Sequence, residues 1–210
     1  LDISPDNRTH RTKGSETAAR VRGAALRLFA QNGYAAVSMR EIANEVGVRP
    51  GALYNHFSTK QDLLKHLMLS HMAALMEAWH HQLGNPSASD PLDTFVRFHI
   101  RYHLDRADEV FISYMELRNL EPQNFKQVET ERRKYEAILT GILEAGSKAG
   151  VYAVEDAKVT TRAIIAMLTA IPSWYRDNGA LSRQQIEDLY STMVRKSVAP
   201  GLPYEPRENG

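Results

Sequence analysis

The side chains best suited to chemistry lie between positions 40 and 60, and they suit the binding of a polyanion better than bond making. Arg40, Arg49, Gly51, Ala52, Tyr54, Asn55, His56 and Lys60 combine cations, hydrogen-bonding groups and two residues small enough for close approach. Such a set can hold phosphates and still touch base edges. Catalytic sets are harder to find. There is no cysteine nucleophile, no phosphate-binding glycine loop, no Gly-x-Ser-x-Gly elbow and no Ser-x-x-Lys pair. The acidic residues are mostly spaced as solvated helix faces, so no enzyme is expected. Among eight histidines, His99 and His103 stand one helical turn apart, as metal-binding pairs do. No nearby carboxylate or cysteine completes a set, which leaves scattered histidines or polar points in a pocket. Neither metal nor cofactor is expected.

The elements that must position the basic set can be read from their ends. Ser38 followed by Glu41 is a capping box that starts a helix at Met39, and Gly47 sits where a left-handed residue would end it. Ile42, Ala43 and Val46 form its apolar face. Pro50 suits a first helical position, and Leu53 and Phe57, four apart, point inward. Ser58 with Gln61 forms a second capping box, so a third helix begins there with Lys60 in its first turn. Two short helices joined by a glycine turn make a helix-turn-helix, whose second helix enters the major groove.

The strings Ser-Met-Arg-Glu-Ile-Ala-Asn-Glu-Val-Gly-Val and Gly-Ala-Leu-Tyr-Asn-His-Phe, with Lys60, closely resemble the DNA-binding signature of the TetR family of bacterial transcriptional regulators. The resemblance runs from about Ala18 to Leu67. It implies an all-α fold of about nine helices, with a three-helix DNA-binding head and a larger body for effector binding and dimerisation.

Composition is compatible with that. The chain has 210 residues, 43% hydrophobic and 24% charged, and without cysteine it can form neither disulfides nor thiolate metal sites. No apolar run is long enough for a membrane span, and the first residues, Leu-Asp-Ile-Ser-Pro-Asp-Asn, have no signal-peptide pattern. A cytoplasmic protein with no membrane partner is expected. The net charge of +1 hides an asymmetry: residues 1–66 carry +4 and the remainder −3. The positive charge lies with the helix-turn-helix.

In chain order, 1–14 reads as a flexible basic arm with Arg8, Arg11 and Lys13 but little apolar periodicity. The helix-turn-helix domain spans 15–60, opening with a helix over 15–32 whose Val21, Ala24, Ala25, Leu28 and Phe29 share one face. Tyr34 and Val37 close the same core. The body spans 61–199. A helix continues from Lys60 to about Gly84, a loop follows, and helices are expected over 92–105, 107–120 and 122–150, the last with Phe125 inward. The stretch 163–171, apolar all round, must be covered on every face, with a kink at Pro172. A last helix covers 182–198, and 200–210 is a loose tail.

The resemblance assigns roles by position. The DNA contacts are assigned to Arg40, Arg49, Gly51, Ala52, Tyr54, Asn55, His56 and Lys60, with Tyr54, His56 and Lys60 mainly on phosphates. A family-type pocket is assigned to Phe95, Phe98, His99, Tyr102, Met115, Arg118, Tyr135, Leu139, Met167 and Leu168. The same aromatic-rich stripes also suit plain core packing. The dimer interface is assigned to Ile164, Ile171, Trp174, Ile186, Leu189, Tyr190 and Met193. The expected protein is a homodimeric repressor that leaves a palindromic operator when a small hydrophobic effector binds. Residues 166–182 resemble family members that sense acyl-CoA thioesters. A lipophilic drug or aromatic relieving repression of an efflux gene is the competing ligand class. An architectural DNA binder and a helical enzyme remain as other classes.

Overall fold

Helices make up all the regular secondary structure among the residues described by this computed structural model, which are 6–84 and 90–200, with side chains from residue 14. They are α1 (Asp6–Asn32), α2 (Met39–Val46), α3 (Pro50–Tyr54), α4 (Lys60–Leu83), α5 (Pro91–Leu104), α6 (Ala107–Met115), a 3₁₀ turn (Leu117–Asn119), α7 (Pro122–Lys148), α8 (Ala157–Thr169), α9 (Ile171–Trp174) and α10 (Arg183–Val198). No helix is long and apolar enough to cross a membrane among these residues.

Local signals begin and end most of them. Asp90 caps α5 by accepting from the amides of Leu92 and Asp93, and Asp156 does the same for α8 at Lys158 and Val159. A capping box between Ser182 and Gln185 opens α10. Left-handed glycines stand after α1 and α2, Gly33 at φ 81° and Gly47 at φ 72°.

Five expectations are corrected. First, α1 begins at Asp6 and so enters the stretch expected to be an arm, 1–14. Once nucleated, a helix gains one hydrogen bond per added residue and needs no apolar stripe to extend. Residues 1–5 lie outside those described, as do 201–210, which hold nearly all of the expected tail. Second, the cap of α4 is Thr59, whose Oγ1 accepts from the Asp62 amide at 2.9 Å. Gln61 is thereby released from capping. Third, the helix expected to run to 120 stops at Met115 and gives way to the 3₁₀ turn, because the Glu116 carboxylate accepts from the Asn119 side chain and from the Tyr34 amide. Fourth, Phe125 is 37% exposed, while Val128 on the same helix is buried. Fifth, Pro172 does not kink a continuous helix: α8 ends at Thr169 and the four-residue α9 restarts at Ile171 with proline in its first turn.

The chain divides into two compact units, Leu1–Ala74 with Asp108–Glu131, and Leu75–Ala107 with Arg132–Gly210. The segment from α6 to the start of α7 falls in the first of these units. The core of the first unit joins Val21, Ala25 and Phe29 of α1, Ile42, Ala43 and Val46 of α2, Leu53, Phe57, and Leu63, Leu64 and Met68 of α4 to Ile112, Leu120 and Val128. The larger of these side chains, from valine up, contribute roughly 1.5–3 kcal/mol each when fully buried. Packing therefore holds two helices too short to be stable alone.

In the second unit, α5 packs against α8, α9 and α10. The Trp79 indole meets Phe95 and Phe98 edge-on at 5.4 and 5.2 Å between centroids. Polar clamps reinforce this packing. Arg101 binds the buried Glu187 carboxylate through both of its oxygens at 2.8 and 2.6 Å, and Arg97 bridges Asp93 and Asp188 at 2.8 and 2.7 Å.

Candidate nucleic-acid interface

The scaffold of the basic set is built from short-range bonds. The Ser38 amide donates to Glu41 Oε2 at 2.6 Å and the Glu41 amide to Ser38 Oγ at 3.2 Å. These hydrogen bonds hold the Glu41 carboxyl below the ordinary glutamate range. At the other end of α2 the Val48 amide closes on the Ala43 carbonyl at 2.9 Å, which the left-handed Gly47 permits. Arg20 of α1 also donates to the Val46 carbonyl. Pro50 opens α3, and Leu53 and Phe57 pin it to the core.

With those residues inside, Arg40, Arg49, Gly51, Tyr54 and Asn55 are exposed, and Ala52 and His56 are half-buried. Nothing stands within 4 Å of the position a Cβ would take at Gly51. The small residue leaves open space on the first turn of α3, so a backbone could approach a nucleic acid there.

Lys60 is placed differently from its neighbours. Its ammonium donates to the carbonyl oxygens of Val37 at 2.7 Å and Ala35 at 3.4 Å and sits 4.2 Å from the centre of the Tyr34 ring. Burial there lowers its pKa, opposed by Glu41 and Glu116. Two of its three donors are used within the protein, so its first duty is to hold the corner between α1 and α2.

Sequence inspection missed the residues that complete this corner. Gln61 Nε2 donates to the Asn119 carbonyl at 2.6 Å and to the Tyr34 hydroxyl at 3.0 Å, while its Oε1 accepts from the Glu121 amide at 3.0 Å. Glu116, 6% exposed, accepts from the Tyr34 amide at 3.0 Å. Burial raises the Tyr34 phenol pKa. Only the position of Gln61 near a helix start could have drawn attention to it, and that position suggested a cap.

The residues assigned to a pocket are partly brought together. Phe95, His99, Tyr135, Leu139 and Leu168 are buried in the second unit, with Tyr102 also buried and Phe98 and Met167 half-buried. His99 shares hydrogen bonds with the Tyr135 hydroxyl and Thr169 Oγ1, both at 3.1 Å, and its ring stacks on His103 at 3.8 Å. Met115 and Arg118 are exposed residues of the first unit, set on α6 and the 3₁₀ turn.

Of the residues assigned to a dimer interface, Ile164, Ile171 and Ile186 are buried inside the chain itself, at 3%, 0% and 1% exposure. They face its own core and are not available to a partner. Trp174, Leu189 and Met193 are about half exposed. Tyr190 is half-buried, with its ring stacked on Trp174 at 6.4 Å. On α8 the uncovered apolar residues are Val159, Ala163 and Ala166, with Ala170 just after it.

The helix-turn-helix geometry has a counterpart in known proteins. A model of bacterial regulatory proteins of the tetR family matches residues 22–67, and one of tetracyclin repressor-like C-terminal domains matches residues 85–198. The chain belongs to the TetR family. It is thus one of a family of DNA-binding transcriptional regulators, not enzymes. The HTH-type transcriptional repressor KstR2 of Mycolicibacterium smegmatis is 27% identical over 175 residues, which span 80% of this chain and 83% of that protein. Among solved TetR-family structures, a regulatory protein from Rhodococcus RHA1 superposes with a TM-score of 0.79 at 28% identity, covering 88% of this chain and 98% of that one. AibR, solved in complex with isovaleryl coenzyme A and operator DNA, shares the fold with a TM-score of 0.76 at 24% identity, over 84% of this chain and 97% of its own.

Proposed function

We propose that this TetR-family protein is a cytoplasmic homodimeric repressor that binds a palindromic operator and releases it when a small hydrophobic effector occupies the body. The observation that carries the DNA half is the exposed hydrogen-bonding face of α2 and α3, set on a capped and closely packed scaffold. Arg40, Gly51, Ala52 and Asn55 serve groove contacts. Arg49, Tyr54 and His56 serve phosphates, and the remaining donor of Lys60 can add to them.

Dimerisation is supported by the apolar residues left uncovered on α8, α9 and α10, above all Trp174 of α9 and Leu189 and Met193 of α10. Two heads related by a two-fold axis must match groove faces roughly 34–36 Å apart.

The effector is proposed to bind among Phe95, Phe98, His99, Tyr102, Tyr135, Leu139, Met167 and Leu168. The buried His99, Tyr135 and Thr169 hydrogen bonds offer a polar anchor in an apolar setting. An acyl-CoA thioester is the preferred class. The resemblance of 166–182 to acyl-CoA sensors supports it, and AibR illustrates the fold binding such a ligand together with DNA. Any effector shifts the protein only by its differential affinity for the operator-competent and released states.

The test is binding of the purified protein to double-stranded DNA from around its own gene, at fixed salt, with and without acyl-CoAs and lipophilic compounds. Tight, sequence-selective binding released by an acyl-CoA is expected. Release only by another compound would refute the ligand class and keep the repressor. Failure to select any sequence would refute the repressor.

A further inference from the structure

We infer that Gln61 and Glu116 are positioning residues of the DNA interface, tying the corner between α1 and α2 to the turn between α6 and α7 so that operator binding and the state of that turn are coupled. The inference rests on the DNA-binding reading above. It is drawn entirely within the first compact unit, to which both segments belong.

Gln61 is the second residue of α4, and its amide is saturated. A glutamine side chain offers two N–H donors and one oxygen able to accept twice. Here the donors go to Asn119 O and Tyr34 Oη, and the oxygen accepts from the Glu121 amide at 3.0 Å and from Asn124 Nδ2 at 3.4 Å. One amide therefore joins the start of α4 to the α1–α2 corner and to the residues that open α7.

Glu116 makes the same connection from the other side. Its Oε1 accepts from the Tyr34 amide, its second oxygen from the Asn119 side chain, and it lies 3.7 Å from where a Cβ of Gly33 would stand. The glycine allows the left-handed turn after α1, beside which the carboxylate packs at ordinary contact distance. A carboxylate with so little solvent depends on such bonds, and losing one leaves a buried polar group unsatisfied.

The corner so held, residues 34–37, runs directly into the Ser38 cap of α2. Lys60 holds its Ala35 and Val37 carbonyls, while Gln61 and Glu116 hold Tyr34. A shift of the α6–α7 turn must therefore move Tyr34 or break these bonds. Coupling of this kind is reciprocal: what the turn does to operator affinity, the operator does to the turn.

Two backbone amides report on the brace, Tyr34 N–H on Glu116 and Glu121 N–H on Gln61. The experiment is residue-level hydrogen exchange on the full chain, with and without the operator duplex found by the binding test, alongside the dissociation constant. In the wild-type protein both amides are expected to exchange more slowly when DNA binds. In Gln61→Leu the response at Glu121 is expected to vanish and operator affinity to fall about fivefold or more. Gln61→Glu keeps an acceptor for the Glu121 amide and for the Tyr34 hydroxyl but has no donor for the Asn119 carbonyl, and is expected to weaken operator binding by loosening the α6–α7 turn from the corner; it serves if the leucine variant fails to fold. Wild-type affinity and response in both variants would overturn the inference, as would operator binding by the wild-type protein without any change at the two amides. A wild-type protein that binds no DNA would instead remove the function on which the inference rests.

Discussion

The Lys60 ammonium stands 2.7 Å from the carbonyl oxygen of Val37, one residue before the cap of α2. A lysine expected to face a phosphate is thus also a clamp on the backbone that delivers α2. Charged hydrogen bonds of this kind contribute about 1.5–3 kcal/mol when buried, and less here because Lys60 is only half-buried. Lys60→Met is expected to lower stability by about 1–2 kcal/mol in chemical denaturation. The slope of operator affinity against salt should fall by no more than about one phosphate contact. A normal stability curve with a changed salt slope would return Lys60 to a purely phosphate role.

The Ser38 and Glu41 box makes a prediction with a pH signature. Ser38→Ala should cost about 1 kcal/mol at neutral pH by removing the cap of α2. The folded-state pKa of Glu41 is lowered, chiefly by its hydrogen bonds with Ser38. Its stabilising contribution is therefore fully present above the ordinary glutamate value and is lost as pH falls through the lowered one. The difference in melting temperature between the wild-type protein and Glu41→Gln should shrink between pH 6 and pH 3, the range that spans the glutamate titration at about 4.3. A constant difference would show that the ionised carboxylate is not what holds the cap.

Arg101 and Glu187 test the clamp between α5 and α10. Glu187 is 3% exposed, and without Arg101 its nearest cation is Arg97 at 3.6 Å. Arg101→Ala should cost about 2 kcal/mol, discounted because Arg101 itself is largely exposed and Arg97 remains. Adding Glu187→Leu should restore part of that loss by removing the stranded charge. Thermal unfolding of the two variants checks both statements; a double variant less stable than Arg101→Ala would contradict the account.

The proposed interface is tested at Leu189, which is 50% exposed on α10. Leu189→Arg should leave the protomer folded, as judged by circular dichroism, and shift sedimentation from dimer to monomer. It should weaken operator binding by at least tenfold, since linked heads bind with an avidity of roughly 10²–10⁴. A folded variant that still sediments as a dimer would place the interface elsewhere.

What the sequence determined by itself was local. The Ser38 box, the left-handed Gly47 and Pro50 act within a few residues, and α2 and α3 lie where those signals place them. The inward residues Ile42, Ala43, Val46, Leu53 and Phe57 follow from helical spacing, which left the exposed basic and polar set legible as a nucleic-acid surface. The TetR-family signature was legible for the same reason, being carried by one short continuous stretch.

Tertiary structure decided what depends on partners distant in sequence. Apolarity on every side of residues 163–171 could not show that Ile164 and Ile171 turn to their own core while Ala163 and Ala166 stay uncovered. Spacing placed both Phe125 and Val128 inward, and only the packing of other helices decided that Val128 is covered while Phe125 is left 37% exposed. Gln61 fitted a local cap, yet its bonds go to Tyr34, Asn119 and Glu121, up to 60 residues away. A side chain able to make several hydrogen bonds takes the set that satisfies it best in the folded chain, and only the assembled helices bring those groups within reach.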